Sequence, residues 1–186
     1  MSEKQKMQQG LLYDANHDTE LCNERSQCKS LCFKFNHTPY DDCKTRQLLL
    51  QNLFKTDKSD FNIEPSFWCD YGYNIKFGKN FYANHNLVIL DEAAVTFGDN
   101  VFIGPNCGFY TAGHPLNIVQ RNQGLEYAKP ITIGNNVWFG ANVIVLPGVT
   151  IGNNCTIGAG SVVVKNIPDN SLAVRNPCHI IRKLEE

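Results

Sequence analysis

The chain lacks any apolar run long enough to cross a bilayer, and its opening stretch, MSEKQKMQQGLLYDANHD, has no apolar core of a secretory leader. Those absences exclude a membrane-spanning helix and point to the cytoplasm. Neither sign of charge dominates: 17 basic and 18 acidic residues leave a net charge of −1, without the basic excess of a nucleic-acid binder. No CxxC pair occurs among the eight cysteines, Cys22, Cys28, Cys32, Cys43, Cys69, Cys107, Cys155 and Cys178. That argues against a zinc site, and in a reducing compartment these thiols read as small hydrophobes. The 186 residues suffice for one core-bearing domain and a small appendage.

The first 60 residues read as the appendage. Positions from about 4 to 55 carry helical patterning, with Leu21, Cys28, Leu31, Cys32 and Phe35 at compatible spacings. NHTP (residues 36–39) stops that run, and Asp41 or Asp42 can cap a second helix with Leu49/Leu53 and Leu50/Phe54 as its apolar stripe. KTDKSD (residues 55–60) then reads as a polar linker. Such a module is too small to stand alone and should pack on the rest of the chain.

Residues 61–186 count in sixes. Ile133, Phe139, Val145, Ile151, Ile157 and Val163 share one phase, and glycine follows four of the six. Four residues after each comes Val137, Val143, Val149, Cys155, Ser161 or Ile167. Phe97 and Ile103 keep the phase; Phe77, Ala83 and Ile89 keep the spacing in a frame shifted by two, which places a slip near residues 91–95. A strict period of six predicts a parallel β-helix, each short strand one flat side of a coil, with the aliphatic residues inward and glycine relieving the turns. The period fails once, from about residue 111 to 129, and near the start of that break stands His114. A histidine titrates near neutrality, which suits a general base.

The ordered motifs LLYDAN (residues 11–16), CDYGYNI (69–75), NFYANHNLVILDE (80–92), TAGHP (111–115), PITIGNNVWFGANVIVLPGVTIG (130–152) and IGAGSVVVKNIP (157–168) resemble the maltose and galactoside O-acetyltransferases, over nearly the whole chain. The resemblance implies a mainly β fold, a left-handed parallel β-helix of hexapeptide repeats with an N-terminal helical module on the acceptor side and one extruded loop. It implies acetyl transfer from acetyl-CoA to a sugar hydroxyl by direct attack, in a homotrimer with active sites between subunits. His114 would be the general base. Asn84 and Asp14 would bind the acceptor; an Asp14 helix cap is the competing reading. Glu92 stands where the galactoside enzymes carry aspartate, and His85 where the family often has an apolar residue, so that His85 would line the acceptor pocket or face solvent. The coenzyme would lie against Trp138, Gly140, Ala141, Ala159 and Gly160, with Lys165 and Arg182 on its phosphates. The Ala141 N–H would serve the thioester oxyanion. His179 replaces the family's usual arginine there. No metal is expected: γ-type carbonic anhydrases place three zinc-binding histidines on this fold, and the histidines here lack that spacing. Two other functions fit the same motifs: acetylation of another hydroxylated acceptor, such as a xenobiotic or glycan precursor, and a non-catalytic trimeric β-helix binding protein.

Overall fold

The computed structural model describes residues 1–185. Its body is a parallel β-solenoid of about six turns, the left-handed β-helix expected from the hexapeptide period. The strands form three faces. The first runs through Phe61–Ile63, Phe81–Ala83, Val101–Ile103, Val137–Phe139, Thr156–Ile157 and Ser171–Val174, and closes with antiparallel His179–Lys183. The second stacks Phe67–Cys69, Leu87–Leu90, Gly108–Tyr110, Ile144–Val145 and Val162–Val163. The third stacks Ile75–Lys76, Val95–Phe97, Ile131–Ile133 and Thr150–Ile151.

Each coil buries its phased residue. Phe139, Val145, Ile151, Ile157 and Val163 are fully inaccessible, and Phe77, Phe81, Phe97, Phe109 and Phe139 stack ring on ring through the interior. Burying large side chains of this kind stabilises by about 1.5–3 kcal/mol each. No coil could bury its inner face without its neighbours.

The turns depart from expectation. The residues in left-handed conformation are mostly asparagines: Asn80, Asn86, Asn100, Asn106, Asn136, Asn142, Asn154 and Asn170. Asparagine tolerates that region because its short amide bonds locally. Here the amides also bond between coils, Nδ2 to Oδ1, from Asn80 through Asn100, Asn136 and Asn154 to Asn170 at 2.8–3.0 Å. The repeat glycines do not relieve the turn; they admit the next coil. A Cβ on Gly98 would come within 2.7 Å of the Gly134 carbonyl.

The N-terminal region is less helical than its pattern reads. It holds α1 (Glu3–Gln8), α2 (Thr19–His37) and α3 (Cys43–Phe54), with a strand, Tyr13–Asp14, between the first two. That strand's partner is Leu125–Ala128, more than a hundred residues away, so no local period could announce it. Asp18 caps α2 by accepting from the Leu21 N–H, and Asp42 caps α3. Cys28, Cys32 and Phe35 of α2, with Leu50, Leu53 and Phe54 of α3, share one continuous core with the coils. Residues 55–60 form the expected polar connection. Among the described residues, no helix is long and apolar enough to cross a membrane.

Candidate active site

The corner joining the second face to the third swells where the others do not. Cys69 to Phe77 and Ile89 to Phe97 each take eight steps, Phe109 to Ile133 twenty-four, and Val145 to Ile151 six. The two residues added after Ile89 are the slip legible in the sequence. They bring a fully buried carboxylate, Asp91, whose Oδ1 accepts the N–H groups of Asp70 (3.0 Å) and Tyr71 (2.8 Å) and whose Oδ2 accepts that of Gly72 (2.7 Å). One carboxylate thereby holds the swollen corner of the coil above. Burial pushes its pKa up to about 6 despite those three donors.

Glu92 comes next, also buried, and accepts from Thr111 Oγ1 at 3.4 Å. Burial, together with a hydrogen bond to the Asp70 side chain and the Asp70 charge, pushes the Glu92 carboxyl up to about 9. The Glu92 and Asp70 carboxyls therefore lie close together at the corner.

From Thr111 the chain leaves the coil. Ala112–Gly113 pairs antiparallel with Leu125–Ala128, and the short helix α4 (Ile118–Asn122) forms the outer end of the loop. Tyr13–Asp14 adds as third strand, with Asp14 opposite Leu125 and Tyr13 opposite Glu126. His114 continues Ala112–Gly113, and its Nδ1 lies 3.0 Å from the Leu125 carbonyl oxygen. A carbonyl only accepts, so Nδ1 carries the hydrogen and Nε2 keeps a lone pair directed elsewhere. The His114 side chain is exposed. Beneath the same sheet, fully buried Tyr13 donates its hydroxyl to Glu126 Oε2 at 3.1 Å; burial and the neighbouring charges of Glu126 and Glu92 raise its pKa well beyond the usual tyrosine range. Asp14 Oδ1 accepts the backbone N–H groups of Asn16 and His17, each at 3.1 Å, and the carboxylate meets the exposed His17 ring. It caps no helix.

The remaining residues expected from the motifs lie elsewhere. Asn84 sits at the corner joining the first face to the second, its Oδ1 accepting the His85 N–H at 2.7 Å, which leaves its amide hydrogens for other partners. Its φ is not positive; the left-handed position of that turn is Asn86. Exposed His85 bonds the Pro65 carbonyl. At the same corner, lower coils stack Gly140 and Ala141 over Ala159 and Gly160, joined by the Gly160 N–H to the Ala141 carbonyl at 2.9 Å. A Cβ on Gly140 would meet Ala159 within 2.6 Å, so the stack is backbone-tight, while Gly160 opens to free space. Trp138 is 56% exposed on the first face, and the register from Trp138 through Thr156 and Leu172 ends on Arg182 of the closing strand. His179 is exposed on that strand. Lys165 is exposed at the swollen corner instead, two residues past Val163, which aligns through Val145 with Phe109.

The structure thus makes two groups. His114, Asp14 and Glu92 belong to the swollen corner and its loop, with Lys165 on the same edge three coils from Glu92; Asn84, His85, Trp138, Gly140, Ala141, Ala159, Gly160, His179 and Arg182 belong to the first face and its following corner. One side of the coil, six residues at about 3.3 Å each, separates the corners by up to about 20 Å. Asp70, Tyr13 and Glu126 join the first group without having been singled out in the sequence. The only signal for Asp70 was its place in the CDYGYNI motif, and Tyr13 and Glu126 are joined by tertiary pairing alone.

Residues 6–57 match the maltose acetyltransferase hexapeptide capping motif, and residues 130–165 match the bacterial transferase hexapeptide with six repeats. The crystal structure of a maltose O-acetyltransferase from Clostridium difficile 630 superposes with a TM-score of 0.97 at 49% identity, covering 100% of this chain and 99% of that one. A galactoside acetyltransferase in complex with coenzyme A gives 0.91 at 40% identity, covering 100% and 92%. The Saccharomyces cerevisiae protein YJL218W, provisionally named an acetyltransferase, is 52% identical over 95% of this chain and 90% of its own length. With the capping motif and the hexapeptide repeats matched and relatives this similar over the whole chain, the chain belongs to the maltose and galactoside O-acetyltransferase family of hexapeptide-repeat acyltransferases.

Proposed function

We propose that the protein transfers the acetyl group of acetyl-CoA to a hydroxyl of a sugar, with His114 as general base. The observation that carries this reading is the Nδ1 hydrogen bond to Leu125, which leaves Nε2 as an acceptor on an exposed loop beside the Asp70–Glu92 pair. Nε2 takes the hydroxyl proton as the sugar oxygen attacks the thioester carbon, and the protonated ring later returns a proton to the departing thiolate of the coenzyme. No acetyl-enzyme forms. The Ala141 N–H stabilises the developing oxyanion, a contribution of about 3–4 kcal/mol for donors of this kind.

The acceptor sits against Glu92, Asp70 and Asp14, with Asn84 supplying its amide. Such groups select hydroxylated molecules because a missing hydroxyl leaves a buried polar atom unpaired. The coenzyme runs along the small-residue stack at Gly140, Ala141, Ala159 and Gly160, beside Trp138, with His179 and Arg182 around its phosphates and Lys165 reaching them from the swollen corner of a second copy. The backbone-tight stack fits a narrow pantetheine arm, and the coenzyme A complex of the galactoside enzyme supports the choice of coenzyme. Because base and oxyanion donor lie at different corners of one chain, the complete site needs a second copy of the chain. A homotrimer supplies that copy at each of three interfaces.

The test is mass-spectrometric detection of acetylated product from acetyl-CoA and a panel of mono- and disaccharides, wild type beside His114→Ala. An active wild type with a mutant slowed at least about a hundredfold supports the assignment. An equally active mutant removes His114 from the chemistry. Coenzyme binding without any acetylated sugar removes the sugar and leaves another hydroxylated acceptor.

A further inference from the structure

Three of the cysteines that show no motif spacing meet in space. Cys28 and Cys32 lie one turn apart on the buried stripe of α2, and Cys69 ends the strand Phe67–Cys69 on which α2 packs. The Cys69 Sγ is 3.5 Å from that of Cys28 and 3.9 Å from that of Cys32, and all three sulfurs lie within 4.8 Å of one another. Their residues are 3%, 0% and 2% exposed. Among the described residues this is the single such grouping of metal-ligating side chains.

Two of the three spacings are already those of ligands on one central atom. Bonds of about 2.3 Å, the length of a zinc–thiolate bond, put three sulfurs about 3.5–4.0 Å apart, according to how pyramidal the centre is. The ligand count then selects against a closed zinc site, which wants four. Asp70, the next residue, has its carboxylate committed to Lys29 at 3.3 Å and to Glu92.

Charge selects further. Three thiolates would leave a net charge of −2 on cuprous copper, −1 on zinc and none on trivalent arsenic. The surroundings are apolar core with Asp91 and Asp70 nearby, and a buried uncompensated charge is costly. A neutral complex is the one this pocket can hold. A cavity of about 130 Å³, bordered by Glu24, Gln27, Leu31, Leu53 and Tyr71, brings a small neutral hydroxide as far as Cys28.

We propose that Cys28, Cys32 and Cys69 form a three-thiol site for trivalent arsenic, taken up as neutral arsenous acid. Three S–H bonds and three As–O bonds break, three As–S bonds and three O–H bonds form, and three waters leave. Arsenic stays trivalent, so no oxidant or reductant enters. Occupancy ties α2 to the strand that leads into Asp70.

The test is titration of the reduced protein with sodium arsenite, followed by desalting and elemental analysis, on a Cys22→Ser/Cys43→Ser background that removes the two accessible thiols. One arsenic should be retained per chain, with three fewer thiols open to alkylation after denaturation. Cys28→Ser and Cys69→Ser should each lower retention at least about tenfold. X-ray absorption on the parent should show three sulfurs and no oxygen around arsenic, a reading that stands even if a variant misfolds. Arsenic that is not retained, an As–O bond in the spectrum, or unchanged retention in Cys69→Ser overturns the proposal. So does zinc or cuprous copper displacing arsenite at equal concentration, or a Cys28–Cys69 disulfide in the protein as purified.

Discussion

Two corners of the same coil have opposite characters. From the third face to the first, each coil repeats one plan: Phe77 to Ala83, Phe97 to Ile103, Ile133 to Phe139 and Ile151 to Ile157 all take six steps. Asparagine amides run between coils there, and glycine backbones touch. From the second face to the third the count changes from eight to twenty-four to six, and this corner buries Asp91 and Glu92, borders Tyr71 and releases the loop of His114. The corners from the third face to the first satisfy every coil identically and carry none of the residues placed in the site. The irregular corner costs buried carboxylates and gains side chains whose protonation the fold controls.

Breaking the irregular corner should spare the fold and abolish activity. His114→Ala should slow acetylation by about 10²–10⁴-fold with an unchanged melting temperature, because its side chain is exposed and only its Leu125 contact is lost. The next effect is a pH dependence. The Glu92 carboxyl rises from an ordinary 4.5 to about 9 in the fold, so its stabilisation is complete below pH 4.5 and is lost as pH climbs through 9. Asp91, raised from 3.8 to about 6, acts in the same direction at lower pH. Melting temperature should therefore fall between pH 6 and 9, and Glu92→Gln should remove most of that fall. A variant as steep as wild type would place the titration elsewhere.

Breaking the regular corner should do the reverse. Gly134→Ala sets a Cβ 2.7 Å from the Gly152 carbonyl carbon, and overpacking of that kind costs about 1–3 kcal/mol. Urea unfolding should show the loss, with turnover per folded molecule retained. Asn136→Ala removes two amide bonds, from Asn100 at 3.0 Å and to Asn154 at 2.9 Å, at a left-handed φ of 56°, for about 1–2 kcal/mol. Asn136→Gly keeps the backbone freedom and should recover part of it, which separates conformational strain from the ladder.

The coil was legible because its signal is local and repeated: inward residues at a fixed interval, recurring over consecutive turns. The slip near residues 91–95 and the break at 111–129 were legible as departures from that interval. The Asn ladder was less so, since glycine recurs beside it in the same repeat; both residues suit turns, and only the backbone angles distinguish which of them turns the chain. Asp14 and Glu126 carried no periodic signal at all. Their strands pair across more than a hundred residues, and neither segment contains evidence of the other.

By itself, then, the sequence determined the coil, its inward column, the place of the loop and the histidine on it, because each follows from spacing along the chain. The tertiary structure alone decided which tautomer His114 adopts, since the Leu125 carbonyl comes from the far strand of its own loop. It decided that the Glu92 carboxyl is held well above the usual carboxylate range, since it is buried beside Asp70 from the coil above. And it decided that three cysteines with no motif between them share one pocket, because a helix turn and a coil edge meet only when α2 packs.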